Sequence, residues 1–227
     1  MKQTKKTTEA KSKVDKKKLY NLEDAVKVMK EIKFAKFDET VEVGVKVVHK
    51  SLQNVRGAVS LPNGTGKDVK VLVICKGDKQ KEAQEAGADF IGAEDAIEKI
   101  KGGWLEFQAV VATPDMMKEV GKLGPILGRK GLMPKPKAGT VTEDIKGIVK
   151  ELKGGRVEYK ADKTGVIHVG VGKLSFNEEQ ITENVKAFFN QVIKDKPSDA
   201  KGNYIKSVHI CSTMGPGIKI NYKGIER

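Results

Sequence analysis

The chain has 227 residues, 38% of them hydrophobic, and carries 43 Lys and Arg against 30 Asp and Glu, for a formal net charge of +13 and a pI near 9.5. That length holds one large or two small domains with cores of their own, and the charge calls for an acidic partner, of which nucleic acid is the commonest. No run of about eighteen apolar residues occurs and the N-terminal MKQTKKTTEAKSK has no apolar segment, which argues against a membrane span or a secretory signal and sets the expectation of a cytoplasmic protein.

Residues 1–18 hold eight lysines and two acids with almost nothing apolar, the composition of a disordered basic arm. From Asn21, an N-cap, a helix is predicted with Glu23 and Asp24 in its first turn and Leu22, Ala25, Val26, Met29 and Ile32 on one face. The period then changes to two. In KFDETVEVGVKV, Phe37, Val41, Val43, Val45 and Val47 face one way and Thr40, Glu42, Gly44 and Lys46 the other, which describes a strand with one polar face. A second strand, VRGAVSL, ends in turn residues from Pro62 to Gly66. From Asp68 the pattern differs: VKVLVIC is apolar throughout, as in a strand covered on both faces. It is followed by a helix from Lys79 to Ala86, a short strand at Asp89–Ile91, a helix from Ala93 to Lys101 and the strand FQAVVA. This alternation predicts a small, largely parallel sheet with helices on both sides. The stretch Gly121–Gly139, with five glycines, three prolines and five Lys or Arg, reads as a shaped cationic loop. A helix from about Glu143 to Leu152 follows, capped by Thr140 or Thr142 and stopped at Gly154-Gly155.

At Arg156 the period-two pattern returns. RVEYKADKTGVIHVGVG reads as a hairpin turning at Asp162–Gly165, with Val157, Tyr159, Ile167 and Val169 as core candidates. Asn177 and Gln180 form a capping box ahead of the stripe Ile181, Val185, Phe188, Phe189, Val192 and Ile193. The last strand, YIKSVHIC, sets Val208 and Ile210 against Ser207, His209 and Cys211 and runs into the turn STMGPG. The two ends of the chain therefore share one α+β domain, residues 1–67 with 155–227, and residues 68–154 form an inserted α/β domain. Charge divides the same way. Residues 1–67 carry 16 bases and 8 acids and residues 155–227 carry 12 and 8, whereas residues 68–154 carry 15 and 14. The nucleic-acid surface is expected first on the terminal domain.

Small hydroxylated residues, glycine and one methionine in Ser212–Gly217 suit a turn lying flush against ribose and phosphate, with Met214 as an apolar contact. A second basic surface is expected at Lys122, Arg129, Lys130, Lys135 and Lys137. No cofactor is expected. The histidines His49, His168 and His209 have no metal-ligand spacing, and Cys75 and Cys211 lie in apolar strands as reduced thiols. Gly64-Thr65-Gly66-Lys67 imitates the end of a phosphate loop, but Asp68 stands where a hydroxyl is needed and Leu61 at the first glycine, so a nucleotide-using or RNA-processing enzyme built on the insertion is the weaker alternative.

In this order and over nearly the whole chain, KFDETVEV, QNVRG, GPILGRKGLMPKPKAGTV, DKTGVIH and STMGP resemble the bacterial branch of the family of large-subunit ribosomal protein one. The resemblance implies a terminal domain of split β-α-β type that grips folded large-subunit ribosomal RNA, and a Rossmann-like three-layer insertion that adds less to specificity. It also implies a place in the mobile stalk at the tRNA exit site, help in releasing deacylated tRNA, repression of the protein's own operon mRNA, and a monomer when free. By position, the family's RNA contacts fall on Lys36, Phe37, Thr40 and Glu42, on Asp162, Lys163 and Thr164, and on Ser207, Thr213, Met214 and Gly215. Strand alternation alone would bury Phe37. Between Val47 and Gln53 only the short VHKSL stands where the family pattern has a longer basic loop, which leaves contacts there open.

Overall fold

The computed structural model describes residues 5–15, 17–48, 55–77, 79–197 and 203–224. Most of the Val47–Gln53 connection, with His49, lies outside them. The chain divides into two compact units, residues 1–66 with 157–227, and residues 67–156.

The first unit is built on a four-stranded sheet ordered β7-β1-β8-β9: Val166–Lys173, Thr40–Val47, Ile205–Ser212 and Ile218–Ile220. Every neighbouring pair is antiparallel. Because β7 and β8 both run against β1, which lies between them, helix α8 (Glu178–Lys194) is the crossover of a β-α-β unit split by a third strand. The inward valines of β1 (41, 43, 45 and 47) are all buried. They share a core with Val26 and Met29 of helix α2 (Leu22–Glu31) and with Ile181, Val185, Phe188 and Phe189 of α8. The Asn177–Gln180 capping box is formed. Asn184 on α8 is fully buried and fully used, donating to Val171 O at 2.7 Å and Gly64 O at 2.9 Å and accepting from Asn63 N at 3.0 Å. The Pro62–Gly66 turn is thus tied down on the protein itself.

Three expectations change here. Over the described residues 5–15 a helix, α1 (Lys5–Ser12), stands where a disordered arm was expected: Ala10 on the helix and Val14 just beyond it are buried in the unit's core. The turn at Asp162–Gly165 forms, with Asp162 N donating to Val166 O, but its arms diverge. Strand β6 (Arg156–Lys160) pairs with β2 (Arg56–Ser60), while β7 joins the four-stranded sheet. Phe37 leaves the core stripe, because β1 begins only at Thr40.

In the second unit, β3 (Val71–Ile74) lies between β4 (Phe90–Gly92) and β5 (Ala109–Ala112), parallel to both. Its alternate side chains enter two separate cores. Leu72 and Ile74 pack with Ile97 and Ile100 of α4 (Glu94–Lys101) and with Val120, Leu123 and Leu127. Val71 and Val73 pack with Ala83 of α3 (Lys79–Glu85) and with Ile145, Val149 and Leu152 of α7 (Ile145–Lys153). Helices therefore cover both faces. Helix α7 spans Ile145–Lys153 and is capped by Asp144, whose side chain accepts Gly147 N at 3.0 Å, rather than by Thr140 or Thr142. The expected glycine and proline loop is helical in part: α5 covers Met117–Gly121 and ends at its start, and α6 covers Gly124–Lys130 within it. Pro125 stands in the first turn of α6, where proline is tolerated, and Gly131 closes the helix at φ 73°.

Candidate nucleic-acid interface

Helices α2 and α8 cover one face of the four-stranded sheet; the other carries its polar residues. Across the strands, Glu42 lies between Gly170 and Cys211, Gly44 between His168 and His209, and Lys46 between Val166 and Ser207, with Lys219 beside His209 at the β9 edge. Glu42, His168, His209 and Lys219 are exposed. Although its edge is exposed, partial desolvation of the His209 ring against the sheet and the neighbouring Lys219 ammonium push it below the usual imidazole range.

The motif Asp38-Glu39-Thr40 fastens three segments at one end of this sheet. Asp38 accepts Ser175 N at 3.1 Å and Ser175 Oγ at 2.9 Å. Thr40 N donates to Thr213 Oγ1 at 3.0 Å, and Thr213 N donates back to Thr40 O at 3.1 Å. Glu39, 1% exposed, accepts Met214 N on its Oε2 at 3.0 Å. Lys173 Nζ reaches Thr40 Oγ1 at 3.2 Å. Gly215 N donates to Ser212 O at 3.1 Å, and a Cβ at Gly215 would stand 2.5 Å from Ser212 Oγ, so only glycine fits the turn without displacing a buried serine. Thr40, Glu42, Thr213, Met214 and Gly215 are gathered here. Phe37 and Met214 are 52% and 48% exposed, two large apolar side chains held in water. Lys36 precedes Phe37 and is exposed as well.

The other predicted group lies at the far end of β1. Six residues separate Thr40 from Lys46, about 20 Å of strand. There Asp162 Oδ1 accepts Thr164 N, Thr164 Oγ1 and Val166 N at 2.7–2.8 Å. These bonds, the Val166 amide foremost, hold its carboxyl below the usual carboxylate range. Lys46 Nζ donates to Thr164 O, joining this turn to the row that contains Ser207. Lys163 is exposed at its tip. Sequence reasoning did not single out Glu39, Lys46, Lys173 or His209 for the site. For Lys46 and His209 the signal was available in their polar-face register; for buried Glu39 it was not.

The secondary basic residues belong to the second unit. Arg129 and Lys130 occupy the last turn of α6, where cations also complement the helix carbonyls, and Lys122 follows α5. Lys135 N donates to Thr140 Oγ1 at 2.8 Å. The side chain of Lys137 lies outside the described residues. Among the described residues no three His, Cys, Asp or Glu side chains gather as metal ligands, and no helix is long and apolar enough to cross a membrane. Both cysteines are free, and burial raises both thiols.

A family model described as the Ribosomal protein L1p/L10e family matches residues 29–216. Two proteins named large ribosomal subunit protein uL1, from two strains of Leptospira biflexa serovar Patoc, are each 60% identical to the chain over 223 residues, covering 98% of it and 97% of their own length.

Proposed function

The chain belongs to the ribosomal protein L1 family, and from that membership we propose that it is a constituent of the large ribosomal subunit whose first unit binds large-subunit ribosomal RNA through the polar face of the sheet β7-β1-β8-β9. The observation that carries the reading is the convergence of Thr40, Glu42, Thr213, Met214 and Gly215 at one end of that face, beside exposed Phe37. Folded RNA presents 2′-hydroxyls, phosphates and unstacked bases, and this end offers hydroxyls, backbone, a carboxylate and two apolar contacts of matching size. Lys36, Lys163, Thr164, Asp162 and Ser207 extend the contact along the sheet.

In the same reading the first unit is a split β-α-β domain and the second a Rossmann-like insertion that adds little to RNA specificity. The protein works in the cytoplasm on the ribosome, forms the mobile stalk at the tRNA exit site, assists release of deacylated tRNA, and represses its own operon mRNA through a similar RNA motif. It is a monomer when free and needs no cofactor. Relatives named as ribosomal proteins belong to a structural family, so the enzyme alternative is not favoured. Competition binding tests the assignment: the full chain should prefer a large-subunit ribosomal RNA transcript to duplex DNA of equal length at moderate salt. Equal competition by the DNA would reduce the interface to generic phosphate attraction.

A further inference from the structure

Helix α1 makes a charged tail part of a built surface. Ala10 and Val14 are 5% and 6% exposed within the core of the first unit. Beyond α1, Asp15 N donates to Tyr20 Oη at 3.1 Å, Tyr20 N donates to Lys219 O at 3.0 Å and Asn221 N to Tyr20 O at 2.9 Å, which fastens this segment along β9. Docked there, α1 walls one side of a cavity of about 300 Å³ lined by Lys11, Val14, His209, Pro216, Gly217 and Lys219. That is room for roughly ten waters at about 30 Å³ each. Among the described residues the lining presents two ammonium groups, one imidazole and no acid. The imidazole of His209, pushed below its usual range by partial desolvation and by Lys219, adds a ring nitrogen beside the two charges.

The pocket continues the recognition turn, since Pro216 and Gly217 directly follow Met214 and Gly215. Lys219 lies five residues beyond Met214, at most about 17 Å of chain. Lysine is a compact point charge suited to phosphate, and the lining has neither an aromatic platform nor a planar donor fork to read a base. We propose that this pocket seats a backbone phosphate of the RNA held at the Ser212–Gly215 turn, with Lys11 on docked α1 and Lys219 on β9 as its two cations. The proposal rests on the RNA-binding reading of the sheet. Its consequence is a coupling: Lys11 contributes only while Val14 keeps α1 in place.

The test measures affinity of the full chain for a large-subunit ribosomal RNA transcript and for an unrelated RNA hairpin across a series of KCl concentrations. The variants are Lys11→Ala, Lys219→Ala, Lys13→Ala, Val14→Ser and Lys11→Ala with Val14→Ser, and amide exchange over residues 10–15 reports docking. Losing one phosphate contact lowers the slope of log K against log salt by about 0.7 to 0.9, about fourfold in affinity at 0.15 M salt. Lys11→Ala and Lys219→Ala should each show this loss, and Lys13→Ala, outside the pocket, should stay within about twofold of wild type. Val14→Ser, which removes no charge, should match Lys11→Ala, and the double variant should be no worse than either. If the wild type prefers the ribosomal transcript but Lys11→Ala keeps its slope, Lys13→Ala loses as much, or the two α1 losses add, the pocket is refuted and the RNA reading stands. A wild type without that preference overturns the RNA reading itself.

Discussion

Replacing Glu39 tests how the Ser212–Gly215 turn is held. Its Oε2 accepts Met214 N at 3.0 Å, its Oε1 has no partner among the described residues, and the side chain is 1% exposed. Glu39→Ala removes the acceptor and leaves the Met214 amide unpaired, which costs about 1 to 3 kcal/mol. At about 2 to 4 °C per kcal/mol for a chain of this size, Tm should fall by several degrees. The RNA must then order the turn itself, so affinity for the ribosomal transcript should drop about five- to hundredfold while affinity for an unrelated hairpin stays near wild type. Glu39→Gln keeps a carbonyl for Met214 N and removes a buried carboxylate that forms no ion pair among the described residues, so both Tm and selectivity should be retained. Calorimetric titration against both RNAs, with thermal melts and amide exchange at Met214, reads all of these quantities. The reasoning fails if Glu39→Gln is as damaging as Glu39→Ala, or if Glu39→Ala leaves both the Met214 amide and the selectivity unchanged.

Met214→Ala, at a side chain half in water, should lower affinity for the ribosomal transcript without moving Tm, as a melt beside a filter-binding titration will show. Thr213→Val should lower both, because its hydroxyl accepts the Thr40 amide as well as facing the interface; an unchanged melt would mean that this bond contributes nothing. Since the folded-state pKa of Asp162 is depressed, its contribution to the Asp162–Gly165 turn is fully present above the unfolded value near about 3.9 and is lost as pH falls through the lower folded value. NMR exchange of the Val166 amide should therefore accelerate in that acidic window and be fast at all pH values in Asp162→Ala, which removes the acceptor. Deleting residues 1–15 should flatten the salt dependence of binding to every RNA and also lower Tm, since Ala10 and Val14 leave the core; a deletion with wild-type Tm would return the segment to a plain tail.

Period and capping made α2, β1, β3 and α8 legible, because in each the burial stripe is written in consecutive residues: the alternating valines 41 to 47, the wholly apolar Val71–Ile74, the capped run from Ile181 to Val192. Helix α6 was masked by its glycines and proline, although Leu123 and Leu127 already stood four apart and Pro125 and Gly131 marked its two ends. Helix α1 was masked by lysine: Ala10 is its one apolar residue, and Val14 follows it outside the helix. Which strand pairs with which is set by contacts far apart in sequence, so a turn at Asp162–Gly165 could be read while the divergence of β6 and β7 into different sheets could not. The same limit governs the site. The polar-face residues of β1 and β8 follow from alternation, but the reach of Glu39 to Met214 and of Thr40 to Thr213 spans more than 170 residues and exists only once the sheet is assembled.

Specific RNA recognition is assigned to the unit made from the two chain ends. It is tested most directly by joining residues 1–66 to 157–227 through a short Gly-Ser linker, establishing by a cooperative melt that the product folds, and titrating it with the large-subunit ribosomal RNA transcript and a scrambled control. Retained preference for the transcript, close to that of the full chain, is the expected result. A folded product that binds the transcript no better than the scrambled RNA would place recognition in residues 67–156 and contradict the assignment.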